Sequence, residues 1–171
     1  MALRELRADD ASAFAQAFVD DPDLGRLIGT ETDPTTDEEA SAWIAEVAAR
    51  PAEGRGIVFA ITDASGEPFC GCAILHTYDE RHRRAELGIW LVPGARGRGV
   101  AAAALRLMIG WAFSALDLER LELTTTPENE RMIERAVALG FTQEGVLRQR
   151  NLERGARVDI VWLGLLREEW E

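Results

Sequence analysis

The sequence predicts a single α/β domain of seven strands and four helices. Its 171 residues suit one domain. Strand-like runs and segments of helical period alternate along it in the order βααβββαβαββ. Its middle reads strand, glycine-rich turn, long apolar helix, strand, which is a crossover between strands.

Leu3-Arg4-Glu5-Leu6-Arg7 is a short strand, after which Asp9 or Asp10 caps a helix carrying Phe14, Phe18 and Val19. Residues 20–34 are acidic and turn-rich. A second helix starts at Thr36, where Thr36 and Glu39 have the spacing of a capping box, and its apolar stripe is Ala40, Trp43, Ile44 and Val47. Residues 51–55 break that helix. Residues 57–61 form a strand that turns at Asp63-Ala64-Ser65-Gly66 into a second one over 69–75. The third strand of this group, over 84–92, puts Ala85, Leu87, Ile89 and Leu91 on one face and Glu86, Gly88, Trp90 and Val92 on the other. Both faces are mainly apolar, so it is central. The helix over 100–116 is apolar nearly all round except along Arg98, Ala102, Arg106 and Gly110, which makes it a buried helix. A strand over 121–125, a helix from about 129 to 139 closed by Gly140, and strands over 141–147 and 158–165 complete the chain.

Composition narrows the function. The chain is 47% hydrophobic and 29% charged, an ordinary globular balance, with a net charge of −11. That acidity disfavours nucleic acid and anionic membranes and favours cationic partners. No apolar run reaches the ~18–20 residues of a membrane span, and the N-terminus lacks the pattern of a signal peptide, so a cytoplasmic protein is expected. Cys70 and Cys72 stand two apart in a strand, at the edge of disulfide reach, which fits a reducing compartment. Together with His76 and His82 they lack the spacing of a zinc site, and no metal is expected.

The segment most suited to chemistry is the strand, turn and helix over 86–116. Gly97 and Gly99 allow close backbone approach, the helix N-terminus offers free N–H groups, and Arg96 and Arg98 add positive charge in an acidic chain. This is an anion site, or else a glycine-rich connector with two solvated arginines. A P-loop is excluded because no Lys-Ser/Thr pair follows the glycines. Residues 97–102 match the dinucleotide fingerprint formally, but too little chain follows to build its parallel crossovers.

Arg96-Gly97-Arg98-Gly99-Val100-Ala101 resembles the Arg/Gln-x-x-Gly-x-Gly/Ala acyl-CoA pyrophosphate loop of the GNAT N-acetyltransferase superfamily. The resemblance extends through Ala85-Glu86-Leu87-Gly88-Ile89-Trp90-Leu91, Pro127-Glu128-Asn129-Glu130-Arg131, Leu139-Gly140-Phe141, Glu144-Gly145-Val146-Leu147-Arg148 and Glu168-Glu169-Trp170. In that order the set is similar to the ribosomal-protein N-acetyltransferases of the RimJ/RimL type, and it covers essentially the whole chain, residues 1–171. It implies a mixed, strongly twisted sheet whose fourth and fifth strands splay, with the pantetheine arm in the gap. Backbone groups of Leu91 and Val92 would pair with that arm, and the amides of Gly97, Arg98, Gly99, Val100 and Ala101 would hold the pyrophosphate beside Arg96. Asn129 matches the family asparagine near the pantetheine and also suits a helix N-cap.

Acetyl-CoA would then be the co-substrate and a cationic amine or peptide the acceptor. A protein N-terminus is the foremost acceptor, and a small amine such as an antibiotic or polyamine, or another acyl group, is the alternative. A non-catalytic acyl-CoA-binding module is the alternative from another class. The protein would be a monomer or a homodimer. Glu86 is the candidate base, standing on the central strand beside the loop, or else a strand glutamate paired with Arg83 or Arg84. Trp90 is the aromatic placed to touch substrate. The two positions where relatives carry a proton donor are Ala136 and Met132 here, which leaves water, Ser114, Thr125 or Tyr78 for the departing thiolate. The acidic stretch Asp20, Asp21, Asp23, Glu31, Asp33, Asp37, Glu38 and Glu39 is a solvated face or the rim of an acceptor cleft.

Overall fold

A computed structural model of the chain describes residues 1–28, 32–49 and 56–170. The elements are β1 (Ala2–Glu5), α1 (Ala11–Asp20), α2 (Leu24–Ile28), α3 (Asp37–Ala49), β2 (Ile57–Thr62), β3 (Gly71–Asp79), β4 (Arg84–Leu91), α4 (Val100–Ala115), β5 (Arg120–Thr125), α5 (Glu130–Ala138), β6 (Thr142–Glu153) and β7 (Ala156–Leu166). The helix break expected at 51–55 and the acidic Glu31 lie outside the described residues.

The strands form one mixed sheet in the order β1-β2-β3-β4-β5-β7-β6. All neighbours are antiparallel except β4 and β5, which run parallel and are joined by the α4 crossover. Apolar residues fall on both faces of the central strands, so each face has its own core. Leu87 of β4 and Leu121 and Leu123 of β5 pack with Leu105, Met108 and Ile109 of α4 on one side. On the other side Trp90 packs with Phe14 and Phe18 of α1 and with Ile44 and Val47 of α3. No helix among the described residues is long and apolar enough to cross a membrane.

Local signals placed most elements. The capping box at the start of α3 is made: the Thr36 N–H donates to Glu39 Oε2 at 3.1 Å and the Glu39 N–H donates to Thr36 Oγ1 at 3.2 Å. Phe14 and Phe18, four apart, share the buried face of α1, whereas Val19 lies about 100° further round and is 51% exposed. Asp10 does not cap α1. It is buried, accepting Arg4 Nη1 and Nη2 at 2.8 and 2.7 Å and the Arg7 N–H at 2.8 Å.

Burial alone would raise the titration of the Asp10 carboxyl, but the donors from Arg4 and Arg7 outweigh it and hold it below the usual carboxylate range. The pair therefore contributes its full stabilisation above the unfolded-state value of about 3.9 and loses it as the pH falls through the lower folded-state value. Asp10→Asn is expected to lower stability at neutral pH and to flatten the acid limb of the curve below about pH 4, as read from denaturant midpoints across pH. A variant with the wild-type acid limb would contradict this assignment.

Candidate active site

The site is built where β4 and β5 part. They are paired only at Arg84↔Arg120, Ala85↔Leu121 and Glu86↔Glu122. At that closed end Glu122 is buried, taking Arg84 Nη1 at 3.2 Å and Arg120 Nε at 2.8 Å. Arg120 also clamps Glu144 of β6, which holds that carboxyl below its ordinary range and raises the guanidinium further. Beyond residue 86 this clamp ends and the strands diverge, as expected of a splayed sheet. Two cavities of about 440 and 580 Å³ occupy the opening and share Ile28, Ile89, Trp90, Asn129 and Met132 as walls.

Glu86 stands at the apex of the opening and lines the smaller cavity. Thr124 Oγ1 of β5 donates to Glu86 Oε1, and Thr77 Oγ1 donates to Oε2 at 3.5 Å. The His76 Nδ1 lies 3.9 Å from Oε2 and 3.0 Å from Thr77 Oγ1. Neither arginine weighed as its partner reaches it. Arg83 pairs with Asp117 and Glu119, and Arg84 pairs with Glu122 and Asp79. The Glu86 carboxylate thus meets hydroxyls and an imidazole instead of a guanidinium.

The larger cavity is lined by Leu91, Arg96, Gly97, Gly99, Val100 and Ala101. Gly97 and Gly99 have φ of +73° and +79°, and a Cβ at either would meet nothing within 4 Å, so the loop needs glycine for its backbone conformation and not for space. The first helical donor of α4 is the Ala103 N–H, to Gly99 O at 3.1 Å. Among the described residues the amides of residues 97–101 donate to no main-chain acceptor, as the first turn of a helix dictates for Gly99, Val100 and Ala101. Arg96 is fixed by Nε donating to Leu91 O at 3.0 Å and by an ion pair with Asp21 at 2.6 Å. Arg98 lies outside both sets of lining residues. Arg131 and Arg135, one turn apart on α5, line the larger cavity and were not singled out by the sequence; their four-residue spacing was the available signal.

The Val92 N–H donates to Cys70 O and Val92 O accepts the Ala95 N–H, both at 3.0 Å, so the Val92 N–H is used within the protein. Peptide groups alternate sides along a strand, so with Val92 turned toward β3 the groups of Ile89 and Leu91 turn toward the opening. Leu91 O is taken by Arg96, which leaves its N–H. Trp90 lines both cavities but is only 4% exposed, its ring packed edge-on to Phe14, Phe18 and Phe69, so it is a wall of the cleft more than a surface for substrate.

Asn129 precedes α5 but does not cap it with its side chain; Nδ2 donates to Thr125 Oγ1 at 3.0 Å. Of the three substitute hydroxyls, Thr125 lines a cavity of the opening, and Ser114 and Tyr78 line neither of the two. Ser114 donates to Gly110 O within α4, and Tyr78 packs against the core. Met132 lines both cavities and Ala136 is buried, and neither carries a proton to give. Neither cysteine lines the opening, and burial pushes both thiols up, Cys72 far up, which makes each a poor nucleophile. Among the described residues no group of three or more His, Cys, Asp or Glu is arranged to hold a metal ion.

The Acetyltransferase (GNAT) domain family matches residues 1–142. The chain is 30% identical over 172 residues to the Bacillus subtilis (strain 168) protein named "Putative ribosomal N-acetyltransferase YdaF", covering 99% of this chain and 92% of that one. It is 36% identical over 87 residues to spermidine N(1)-acetyltransferase of Escherichia coli (strain K12), covering 51% of this chain and 46% of that one. The structure of Mycobacterium smegmatis RimJ in complex with CoA-disulfide superposes with a TM-score of 0.84 at 28% identity, covering 98% of this chain and 82% of that one.

Proposed function

The chain belongs to the GNAT acetyltransferase family, and from that membership we propose that it moves an acetyl group from acetyl-CoA to the α-amino group of a protein or peptide N-terminus, directly and in one ternary complex. One observation carries the reading: the opening between β4 and β5 has a carboxylate at its apex and, lining its second cavity, a loop whose amides donate to no main-chain acceptor. Acetyl-CoA supplies the acyl group and the leaving thiol. The amides of residues 97–101, at the positive end of α4, hold the diphosphate, and Arg96, Arg131 and Arg135 add charge around it.

On the acceptor side Glu86 takes a proton from the incoming ammonium, directly or through a water. An α-amino group titrates near 8 and a lysine near 10.4, so an N-terminus needs little help to become the neutral nucleophile. The Leu91 N–H meets the negative charge that develops on the thioester oxygen. Thr125 already accepts a hydrogen bond from Asn129, so its own proton is free for the thiolate, and a thiol titrating near 8.5 demands little of it. We place the reaction in the cytoplasm, where a reduced Cys70 and Cys72 are at home.

The N-terminal acceptor is supported by the likeness to YdaF and to RimJ, both at 28–30% identity across nearly the whole chain. A polyamine acceptor is favoured by the spermidine acetyltransferase likeness, which spans half of it. Thiol release in the presence of acetyl-CoA separates these: short peptides with free N-termini are expected to turn over, and the same peptides with blocked N-termini are not. Release with spermidine alone selects the second acceptor. No release with any amine, despite coenzyme A binding, overturns the enzymatic reading in favour of a binding module.

A further inference from the structure

The acceptor-side cavity holds one feature that transfer itself does not require. Strands β6 and β7 pair through Leu147↔Ile160 and resume at Asn151↔Val158. Arg148, Gln149 and Arg150 therefore oppose the single residue Asp159. Gln149 sits at φ +51°, a conformation non-glycine residues seldom adopt, and its N–H donates to Asp159 Oδ1 at 2.8 Å, which pins the bulge. Bulges of this kind re-aim side chains, and Arg150 lines the cavity that also contains Glu86 and Thr125. Arg84, Arg120 and Arg154 are each held in an ion pair; Arg150 has no hydrogen bond or ion pair among the described residues.

We infer that Arg150 selects the acceptor by binding a carboxylate on it, so that the acetylated amine belongs to a molecule with an acidic group a few bonds from the reactive nitrogen. The inference rests on the amine-acetylation reading above and names its substrate class. A guanidinium without a protein partner offers a forked pair of donors that a carboxylate fits and an ammonium does not. The amine is drawn to Glu86 at the apex while the acid is drawn to Arg150, which fixes the acceptor's orientation. Glu153 of the same strand also lines the cavity, but it meets the acceptor with a charge opposite to that of Arg150 and cannot serve the same group. An N-terminal peptide with an acidic second residue and a free acidic amino acid both carry this chemistry.

The test is calorimetry on the coenzyme A-loaded protein with two matched pairs, a C-terminally amidated Ser-Glu peptide against its Ser-Gln counterpart and free glutamate against its diamide, which has no carboxylate, run beside thiol-release turnover. In the pair that matches the natural source, the acidic member is expected to bind about tenfold more tightly. Arg150→Gln is expected to bring that ratio to within about twofold, and Arg150→Lys to restore part of it. Thermal unfolding and coenzyme A affinity at wild-type values verify that each variant is folded. A ratio near one in both wild-type pairs, or a preference that survives Arg150→Gln, overturns the inference. Preference in binding with no acetylation of any member overturns the transfer reading while leaving the recognition; acetylation without preference does the reverse.

Discussion

Glu86→Gln is expected to lower kcat/KM for an N-terminal peptide by about 100-fold or more, because a positioned base contributes roughly that much to a proton transfer. The substitution keeps the shape of the side chain and can still accept the Thr124 hydroxyl, so the fold at the apex of the β4–β5 opening is preserved. What it removes is the ability to take up a proton. Affinity for coenzyme A is expected to stay within about twofold of wild type, since the cradle lines the other cavity, which Glu86 does not. The loss should be largest at low pH, where more of the amine arrives protonated and must give up its proton, and should shrink as the pH approaches the amine's own value near 8. A rate profile between about pH 6 and 9 that matches the wild type would remove Glu86 from the mechanism.

The second large effect belongs to the loop. Changing Gly97 and Gly99 together to alanine is expected to weaken coenzyme A binding by about 100-fold. Each glycine is in the left-handed region, where a Cβ costs about 1–2 kcal/mol. Nothing lies within 4 Å of a Cβ at either position, so the added methyls cause no collision and the cost is conformational. The loop relaxes by giving up the conformation, and with it goes the convergence of amides on one point. Two such costs add to the equivalent of about two decades in affinity. Calorimetry with coenzyme A reads this directly, and circular dichroism confirms that α4 survives. Binding at wild-type strength in the double variant would show that the amides are not the diphosphate site.

Much of this was legible because it rests on local chemistry. The Thr36 and Glu39 spacing placed α3, and the run from Arg96 to Ala101 placed the amide cradle. The two-sided apolar pattern of 84–92 placed β4 at the centre of the sheet. What escaped lacked a periodic signal or depended on distant partners. Helix α2 has five residues, too few to show a helical period, yet Leu24 and Ile28 line the opening. The β6–β7 hairpin runs well beyond the strands expected at 141–147 and 158–165, because β6 is an exposed edge strand whose residues past Leu147 are polar apart from Leu152 and so show no alternation. Strand β3 likewise starts two residues later and ends four residues later than expected, with Asp63 to Cys70 forming a longer turn. The Asp10 pairing with Arg4, the Asp21 pairing with Arg96 and the Val92 bond to Cys70 join residues on different elements, and no spacing rule reports them.

The central claim is that free main-chain donors at the start of α4 bind the diphosphate of coenzyme A in the opening between β4 and β5. An amide-resolved NMR titration with coenzyme A measures it residue by residue. The prediction is that the largest shifts fall on the amides of Gly97, Arg98, Gly99, Val100 and Ala101, with Leu91 moving at the same ligand concentrations. Saturable shifts that leave those amides in place and cluster on another surface would contradict it.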